Sequence, residues 1–237
     1  MQIVVNHLTR MHGGHICVAG VDQETGRHVR PVPQHGGLSA EWLARHGGPF
    51  EMAGVVDLGS PRAVLGKPHC EDYILIAACT KLCQRLDPHE FWNLLYRVQK
   101  ASLREIFGSE LRAIGNQHLV TDLGKGTASL GCLRSRDRPQ LYLATTGRRK
   151  PRIRMRFSDG QLRADAGVTD LRLYQADHAT PDPDLVRGVA KWIADSEDVI
   201  LGVGLTRKYR VSEQADYFHW LQVNNIHLKE DPTWQLG

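Results

Sequence analysis

The sequence has no apolar run near the length that a membrane-spanning helix needs. Such a helix requires roughly 20 consecutive apolar residues, whereas the apolar run at the N-terminus ends at Asn6. That run is also too short for a secretory signal peptide, and no small-residue cleavage site follows it. These absences predict a soluble, cytoplasmic protein with no membrane partner.

Motifs for phosphate loops and common zinc folds are missing as well. The glycine-rich segment GKGTASLG lacks the G-x4-G-K-[ST] spacing of a nucleotide phosphate loop. The five cysteines are an odd number without a secretory signal, which predicts reduced thiols. Cys70, Cys79 and Cys83 lie close in sequence but lack the paired C-x2-C spacing of zinc knuckles. We therefore expect no metal site and no cofactor.

The twelve histidines have no accompanying carboxylate motif that would make them a catalytic set. His7, His12 and His15 fall near one predicted hairpin, and His219 and His227 fall on the last predicted strand. Histidine clusters serve as metal ligands or general bases in some proteins. Here scattered polar partners and surface residues are the favoured interpretation, so no catalytic residue is predicted and a binding protein is favoured over an enzyme.

What the sequence does contain is many short strands and few helices. Each half has one clear helix that opens with Asp-Pro, at Asp87-Pro88 and at Asp182-Pro183. In the second half the order is strands, helix, two strands, which is the order of an OB-fold, a five-stranded Greek-key barrel. An SH3-like barrel or a small sandwich fits the strand lengths nearly as well, and the helix between strands favours the OB-fold.

The predicted fold class is therefore mostly β with a few helices (α+β), as two OB-fold-like small β-barrels packed together. We assign residues 1–108 to a first barrel with appended helices, 109–128 to a linker and 129–237 to a second barrel. The linker assignment rests on the polar, glycine-rich character of that segment.

The tripeptide Leu-Thr-Arg occurs twice, ending at Arg10 and at Arg207. In each place an apolar strand precedes it, and a loop and a strand led by histidine follow. This repetition predicts corresponding hairpins in two related barrels. An arginine at a barrel rim can hold a phosphate with two parallel hydrogen bonds, although a lone rim arginine more often pairs with a local carboxylate or lies in solvent.

Positive charge is concentrated in one segment. Between Arg134 and Arg156 there are nine basic residues and one acidic residue, whereas the whole chain carries a net charge of +4. Within it, RIRMRF alternates strictly, so Arg152, Arg154 and Arg156 should share one strand face. A nucleic-acid backbone would neutralise such a row of arginines; a solvated face, or pairing with acids of the other barrel, is the alternative.

The neighbourhood of this strand supplies further candidate contacts. The second and third strands form the usual ligand face of an OB-fold, and Tyr142 on the preceding strand offers a stacking surface. The full set of predicted nucleic-acid-binding residues is Arg10, Tyr142, Arg148, Arg149, Lys150, Arg152, Arg154, Arg156 and Arg207. The low aromatic content, 7%, argues against tight single-strand binding by stacking alone.

Four polar residues at strand ends and in the last strand form a possible polar pocket. They are Thr9, Thr206, Asn224 and Asn225. Two asparagines in a strand interior are unusual and indicate a bulge or a polar pocket. Hydrogen bonding to a base edge or nucleotide, or capping of the backbone, are the two roles open to them.

The segments VVNHLTR, ICVAGVD, GRHVRPV, SLGCLR, TDLRLY, GLTRKYR and HWLQVNNIHL together resemble the bacterial family of dual OB-containing domain proteins. The resemblance runs from Gln2 to about Leu228. It implies two OB-folds packed together, a genome-context link to defence and other conflict systems, and recognition of nucleic acid or a nucleotide. It implies no catalytic residue set.

The sequence thus predicts a non-enzymatic module that binds nucleic acid, with single-stranded DNA or RNA favoured. It would be accessory to a defence or nucleic-acid-processing system, and a protein of the same system is a possible partner. The alternatives are a nucleotide-sensing pocket between two OB-folds, which would use Arg10 and Arg207 as a pair, and an adaptor for an acidic protein partner. A metal-dependent hydrolase built on the histidines ranks below these.

Overall fold

The strands fall into two hydrogen-bonded sheets, one from each half of the chain. The computed structural model describes residues 1–64, 66–115, 117–145 and 150–234. Within these ranges no helix is long and apolar enough to cross a membrane.

The first sheet has seven strands in the order β5-β6-β3-β2-β1-β4-β7. Neighbours pair antiparallel except β3 and β6, which run parallel. The apolar, β-branched start of the chain suits a strand buried on both faces, and the first strand is accordingly buried along most of its length. The strands are β1 (Gln2–Arg10), β2 (Ile16–Asp22), β3 (His28–Val32), β4 (Gly54–Asp57), β5 (Arg62–Ala63), β6 (Asp72–Ile74) and β7 (Lys81–Arg85).

The second sheet has the order β10-β14-β15-β13-β12-β11, with β9 on β15 and β8 on β9. Here β13 and β15 run parallel. If β10 and β11 are counted as one interrupted strand, the order closes on itself, as a five-stranded OB barrel requires. The strands are β8 (Arg112–Ile114), β9 (His118–Asp122), β10 (Leu130–Arg134), β11 (Gln140–Ala144), β12 (Arg152–Ser158), β13 (Arg163–Val168), β14 (Val199–Leu205) and β15 (Phe218–Leu228).

Both sheets share one pairing pattern. In each sheet, three consecutive strands pair antiparallel, and the third of them pairs in parallel with a later strand. That later strand also pairs with the strand that precedes it in sequence. The pattern is β1-β2-β3-β6-β5 in the first sheet and β11-β12-β13-β15-β14 in the second. The mostly β architecture of two barrel-like sheets predicted from the sequence is therefore confirmed.

The same pattern corrects the interpretation of the Leu-Thr-Arg repeat. Arg10 ends β1, whereas Arg207 follows β14, which occupies the position of β5 in the shared pattern. The two hairpins therefore do not correspond. A strand, a polar loop and another strand is a common local arrangement, and three matching residues do not report the strand order of a sheet.

The three helices of the described residues include the two predicted ones. They are α1 (Pro88–Val98), α2 (Leu103–Phe107) and α3 (Pro183–Asp195). Asp87 accepts a hydrogen bond from the Glu90 amide, and Glu90 reciprocates, which completes a capping box. Asp182 likewise accepts hydrogen bonds at the start of α3. Both Asp-Pro helix starts are confirmed.

Residues 109–128 do not form a plain linker. They contain β8 and β9, and β9 pairs with β15 of the second sheet. Leu111 and Leu119 join the hydrophobic core of that sheet, as does α2 through Leu103, Ile106 and Phe107. Polar and glycine residues dominate the composition of the segment, and its strands are short, so the composition alone did not indicate them.

The two cores meet along β1 and β15. The first core takes in Cys132, Leu171 and Ile200 from the second half of the chain. Arg10 donates its backbone N–H to the carbonyl of Thr169, at 2.9 Å. The sheets therefore share a buried boundary, and the outer face of the second sheet lies away from it.

Candidate nucleic-acid interface

Strand β12 separates its arginines from its apolar side chains, as the alternation predicts. Ile153, Met155 and Phe157 are buried in the second core. Arg152, Arg154 and Arg156 lie on the outer face of the sheet. We call these three arginines, together with Tyr142 on the neighbouring strand β11, the basic strand face.

One carboxylate organises this face. Asp165 on β13 accepts hydrogen bonds from Arg154 Nε at 2.9 Å, from Tyr142 Oη at 2.6 Å and, more weakly, from Arg156 Nε at 3.4 Å. Burial alone would raise the pKa of Asp165, but the hydrogen bonds from Tyr142 and Arg154 outweigh it and lower that pKa. The pKa of the Tyr142 hydroxyl is raised by burial and by its bond to Asp165. The carboxylate stays ionised and the tyrosine stays neutral.

The arginines differ in how much of each remains available. Arg154 is 20% exposed and also donates to the Asp165 carbonyl, at 2.5 Å. Arg156 is 58% exposed, and its guanidinium lies 4.8 Å from the centre of the Tyr142 ring. Arg152 is exposed and forms no ion pair with any residue that the structure describes. The face therefore keeps a net positive charge, because it holds three guanidinium groups and Asp165 pairs with only two of them.

Three of the predicted basic residues fall in the connection between β11 and β12. Arg148 and Arg149 fall outside the described residues. Lys150 in the same connection is exposed. The basic strand face therefore has a lysine beside its Arg152 end.

An aromatic chain of contacts continues from Arg154, the middle arginine of the face. Arg154 Nη2 lies 3.2 Å from His118 Nδ1, and the His118 ring meets the Trp220 ring edge-on at 6.0 Å between centroids. Trp220 in turn contacts Phe218 at 6.2 Å and donates its ring N–H to the Tyr209 carbonyl at 3.0 Å. Phe218 and Trp220 are half-buried and alternate with the buried His219 and Leu221, so they lie on the outer face of the same sheet.

The loop 206–217 between β14 and β15 adds exposed aromatic and basic side chains. Tyr209 is 52% exposed and Tyr217 is 41% exposed. The Tyr217 ring lies beneath the Arg210 guanidinium at 4.8 Å and near Lys208 Nζ at 5.9 Å. In OB-folds the loop between the fourth and fifth strands borders the ligand face, and β14 and β15 hold those positions here.

This aromatic part of the surface was not predicted from the sequence. Arg-Lys-Tyr-Arg at 207–210 carried a local signal, a tyrosine among basic residues, yet only its first arginine was singled out. His118 and Trp220 gave no such signal, since only the pairing of β9 with β15 brings them together.

Arg10 and Arg207, proposed as phosphate ligands, both contact the other half of the chain. Arg10 Nε donates to the His178 carbonyl at 3.0 Å, and its guanidinium lies 4.9 Å from the Tyr174 ring centre. Arg207 Nη2 donates to Asp72 Oδ2 at 2.5 Å while half of its side chain stays exposed. Both side chains therefore brace the boundary between the sheets.

The residues of the predicted polar pocket lie at the same boundary or close to it. Asn225 accepts from the Leu8 N–H at 2.8 Å and donates to the Leu8 carbonyl at 3.2 Å, so its amide imitates a neighbouring strand. Asn224 is the extra residue of a bulge in β15 and donates to His7 Nδ1 at 3.2 Å.

The two threonines serve the backbone. Thr9 is buried and bridges to Asp170, and Thr206 Oγ1 accepts from the Trp220 N–H at 2.9 Å. The bulge expected from Asn224-Asn225 is thus present, and all four side chains or backbones contact protein groups instead of an open pocket.

A cleft of about 910 Å³ opens between the two halves of the chain. Arg10 and Arg207 do not line it, which removes the arrangement expected for a nucleotide pocket. Its charged walls are mixed, with basic residues facing at least as many acidic ones, so it lacks the excess positive charge that nucleotide phosphates favour. These charged residues are Arg27, Arg97, Lys100, Asp22, Glu24, Glu71 and Glu105.

The family comparison agrees with this geometry. A family model described as "Dual OB-containing domain" matches residues 1–226. Comparisons with curated proteins and with solved structures give no match. The match spans nearly the whole chain, and both sheets share the pairing pattern described above. The chain therefore belongs to the dual OB-containing domain family.

Proposed function

We propose that the protein binds single-stranded nucleic acid along the basic strand face and the β14–β15 loop of its second barrel. The observation that carries the proposal is the unbroken chain of contacts from Arg156 and Arg154 through His118 and Trp220 to Tyr209. It joins positive charge on β12, which holds the position of an OB-fold ligand strand, to aromatic side chains beside the β14–β15 loop.

The electrostatics of the face suit phosphate contacts. A guanidinium has five N–H donors, and Arg156 uses one of them, weakly, on Asp165. Its remaining donors form no hydrogen bond with any residue that the structure describes, and Asp165 is already shared with Tyr142 and Arg154. Asp165 therefore orients the arginines without cancelling the positive charge of the face.

The aromatic side chains favour single strands over duplexes. A base can stack on an exposed ring only when it is free of its partner base, and such stacking contributes about 1–3 kcal/mol per base. Tyr209 and Tyr217 are exposed on a loop.

A role beside a defence or nucleic-acid-processing system is part of this proposal. Two observations support it: the genome context that the resemblance to this family implies, and a surface whose positive charge suits a nucleic-acid backbone. An acidic protein partner would also complement the charge of the basic strand face, but its binding would not require stacking on the exposed tyrosines of the loop.

Fluorescence anisotropy with labelled single-stranded DNA, single-stranded RNA and duplex DNA over a salt series tests the proposal. The variant Arg152→Ala/Arg156→Ala removes the two exposed charges of the face. It should weaken single-strand binding and lower the slope of log K against log salt by about 1.4, since each phosphate contact contributes about 0.7.

The matched control is Arg62→Ala/Lys81→Ala, which removes two exposed charges from β5 and β7 of the first sheet. This control should bind as the wild type does. Equal loss in both double variants, or no binding of any nucleic acid by the wild type, would reject the basic strand face as the site.

A further inference from the structure

A second cluster of potential ligands lies at the boundary between the sheets, away from the basic strand face. One ring nitrogen each of His7 and His28 and the Sγ of Cys132 lie within 4.8 Å of one another. Cys132 Sγ is 3.7 Å from His28 Nε2, and the rings of His7 and His28 meet edge-on at 5.3 Å. The three residues come from β1, β3 and β10, so the cluster draws on both sheets.

Two buried polar atoms at this cluster have no hydrogen-bond partner among the described residues. They are His7 Nε2 and Asn6 Oδ1, on residues that are almost fully buried. A buried polar atom without a hydrogen-bond partner is destabilising, so each such atom calls for an explanation. The other nitrogen of His7, Nδ1, faces the Asn224 side-chain amide. If that amide is turned so that its oxygen accepts from Nδ1–H, the lone pair of Nε2 is available to a ligand.

The backbone is shaped to bring these side chains together. Asn6 is the extra residue of a bulge in β1, where the register shifts between Val5 and His7, and bulges redirect side chains. The Asn6 amide nitrogen consequently lies 3.2 Å from both His28 Nε2 and Cys132 Sγ. A Cβ at Gly202, which pairs with Cys132, would stand only 3.0 Å from the His7 ring.

We propose that His7, His28 and Cys132 bind a zinc ion between the two sheets. Two imidazoles and a thiolate are ligands that Zn²⁺ prefers, in a tetrahedral arrangement. Zinc–nitrogen and zinc–sulfur bonds of about 2.0–2.3 Å place tetrahedral ligand atoms roughly 3.3–3.7 Å apart. The Cys132–His28 separation already meets this spacing, and a rotation of the His7 ring would bring the third ligand in.

Burial affects the three ligands in opposite ways. It lowers the pKa of His28 to about 4 and holds that of His7 well below its usual value, so both imidazoles are neutral, the form that ligates metals. It raises the pKa of the Cys132 thiol to about 12, so the metal itself would have to displace the thiol proton on binding. Asn6 Oδ1, after a half-turn of its amide, or a water from the cleft that His28 and Cys132 line, would fill the fourth position.

A zinc ion here would bind the folded protein and link its two sheets. Because no pair of the three ligands lies close in sequence, the unfolded chain would hold the metal poorly. Zinc should therefore raise the unfolding temperature, by an amount that grows with the free zinc concentration.

The test uses the full chain, stripped with a chelator and then titrated with Zn²⁺ in competition with a chromophoric chelator. Co²⁺ serves as a spectroscopic probe, because a thiolate ligand adds a charge-transfer band. We expect one zinc per chain and a thiolate–cobalt band. Cys132→Ser and His28→Gln should each weaken zinc binding by at least about 100-fold, given that loss of mere outer partners costs 10–100-fold.

The matched control is Cys70→Ser/Cys79→Ser/Cys83→Ser, which removes three exposed thiols and should keep zinc and the cobalt band. Circular dichroism checks that each variant folds, and His28→Gln, at a half-buried position, carries the test if Cys132→Ser does not fold. The proposal is overturned if the wild type takes up no zinc. It is equally overturned if folded Cys132→Ser and His28→Gln bind zinc as the wild type does.

Discussion

At the scale of single residues, neighbouring arginines on one strand do different work. Arg154 and Arg156 both approach Asp165, but Arg154 is held by two hydrogen bonds to that residue and is largely buried. Arg156 is mostly exposed and keeps most of its donors. The alternation of RIRMRF predicts a common face for both, and only the position of Asp165 on β13 distinguishes them.

We expect Arg154→Ala and Arg156→Ala to separate stability from binding. Arg154→Ala should lower the free energy of unfolding by about 1–3 kcal/mol, because it leaves part of a half-buried carboxylate without its donor. Arg156→Ala should change it by less than about 0.5 kcal/mol while weakening nucleic-acid binding. Urea denaturation and anisotropy measure the two quantities, and a stability loss of equal size in both variants would contradict this division.

At the scale of elements, the β14–β15 loop and the strand face contribute different kinds of contact. The strand face supplies charge, whereas the loop presents the exposed rings of Tyr209 and Tyr217. Charge contacts are weakened by salt and stacking contacts are much less so. The two elements should therefore be distinguishable in one salt series.

Replacing both tyrosines, Tyr209→Ala/Tyr217→Ala, should weaken single-strand binding by about 1–3 kcal/mol for each base that stacks. The salt slope should stay near that of the wild type, because no charge is removed. Tyr96→Ala, at an exposed position on α1, is the control and should bind normally. A lower slope with unchanged affinity at high salt would mean that the tyrosines act only by orienting Lys208 and Arg210.

Elements with strong local signals were predictable, and long-range pairing was not. The Asp-Pro dipeptides predicted the starts of both long helices, and the strict alternation of RIRMRF predicted that the arginines of β12 face outward. The β8–β9 hairpin was missed because its strands are short and its turns polar, and it is stabilised by β15, about a hundred residues away in sequence. The cluster of His7, His28 and Cys132 was not predicted for the same reason, because its members lie far apart in the sequence.

At the scale of the whole molecule, the boundary between the sheets is rich in buried polar groups. Arg30, His69 and Asp72 form a buried network to which Arg207 of the other half contributes. Burial and the nearby Arg207 and Arg30 lower the pKa of His69 to about 2. His69 is therefore neutral in the folded protein, and it becomes protonated below about pH 6.5 in the unfolded chain.

This difference makes stability depend on pH in a definite direction. Because the unfolded state takes up the proton first, the contribution of neutral His69 to the free energy of unfolding is fully present above about pH 6.5 and is lost as the pH falls toward 2. His69→Asn, whose amide oxygen can accept from Arg30, should reduce the fall in the urea midpoint between pH 7 and pH 5. His35→Asn, at an exposed position, should leave the fall unchanged; equal profiles for His69→Asn and the wild type would contradict the assignment.

The contact between Leu8 and Asn225 has a consequence for the order of events during synthesis. These residues are 217 positions apart, so β1 emerges from the ribosome long before the strand that covers it exists. Until β15 arrives, the Leu8 amide and carbonyl and the apolar surface around them stay exposed to solvent and to other chains. A nascent chain halted before β15 should accordingly be captured by chaperones or aggregate, and release from that state should coincide with translation of the last strand.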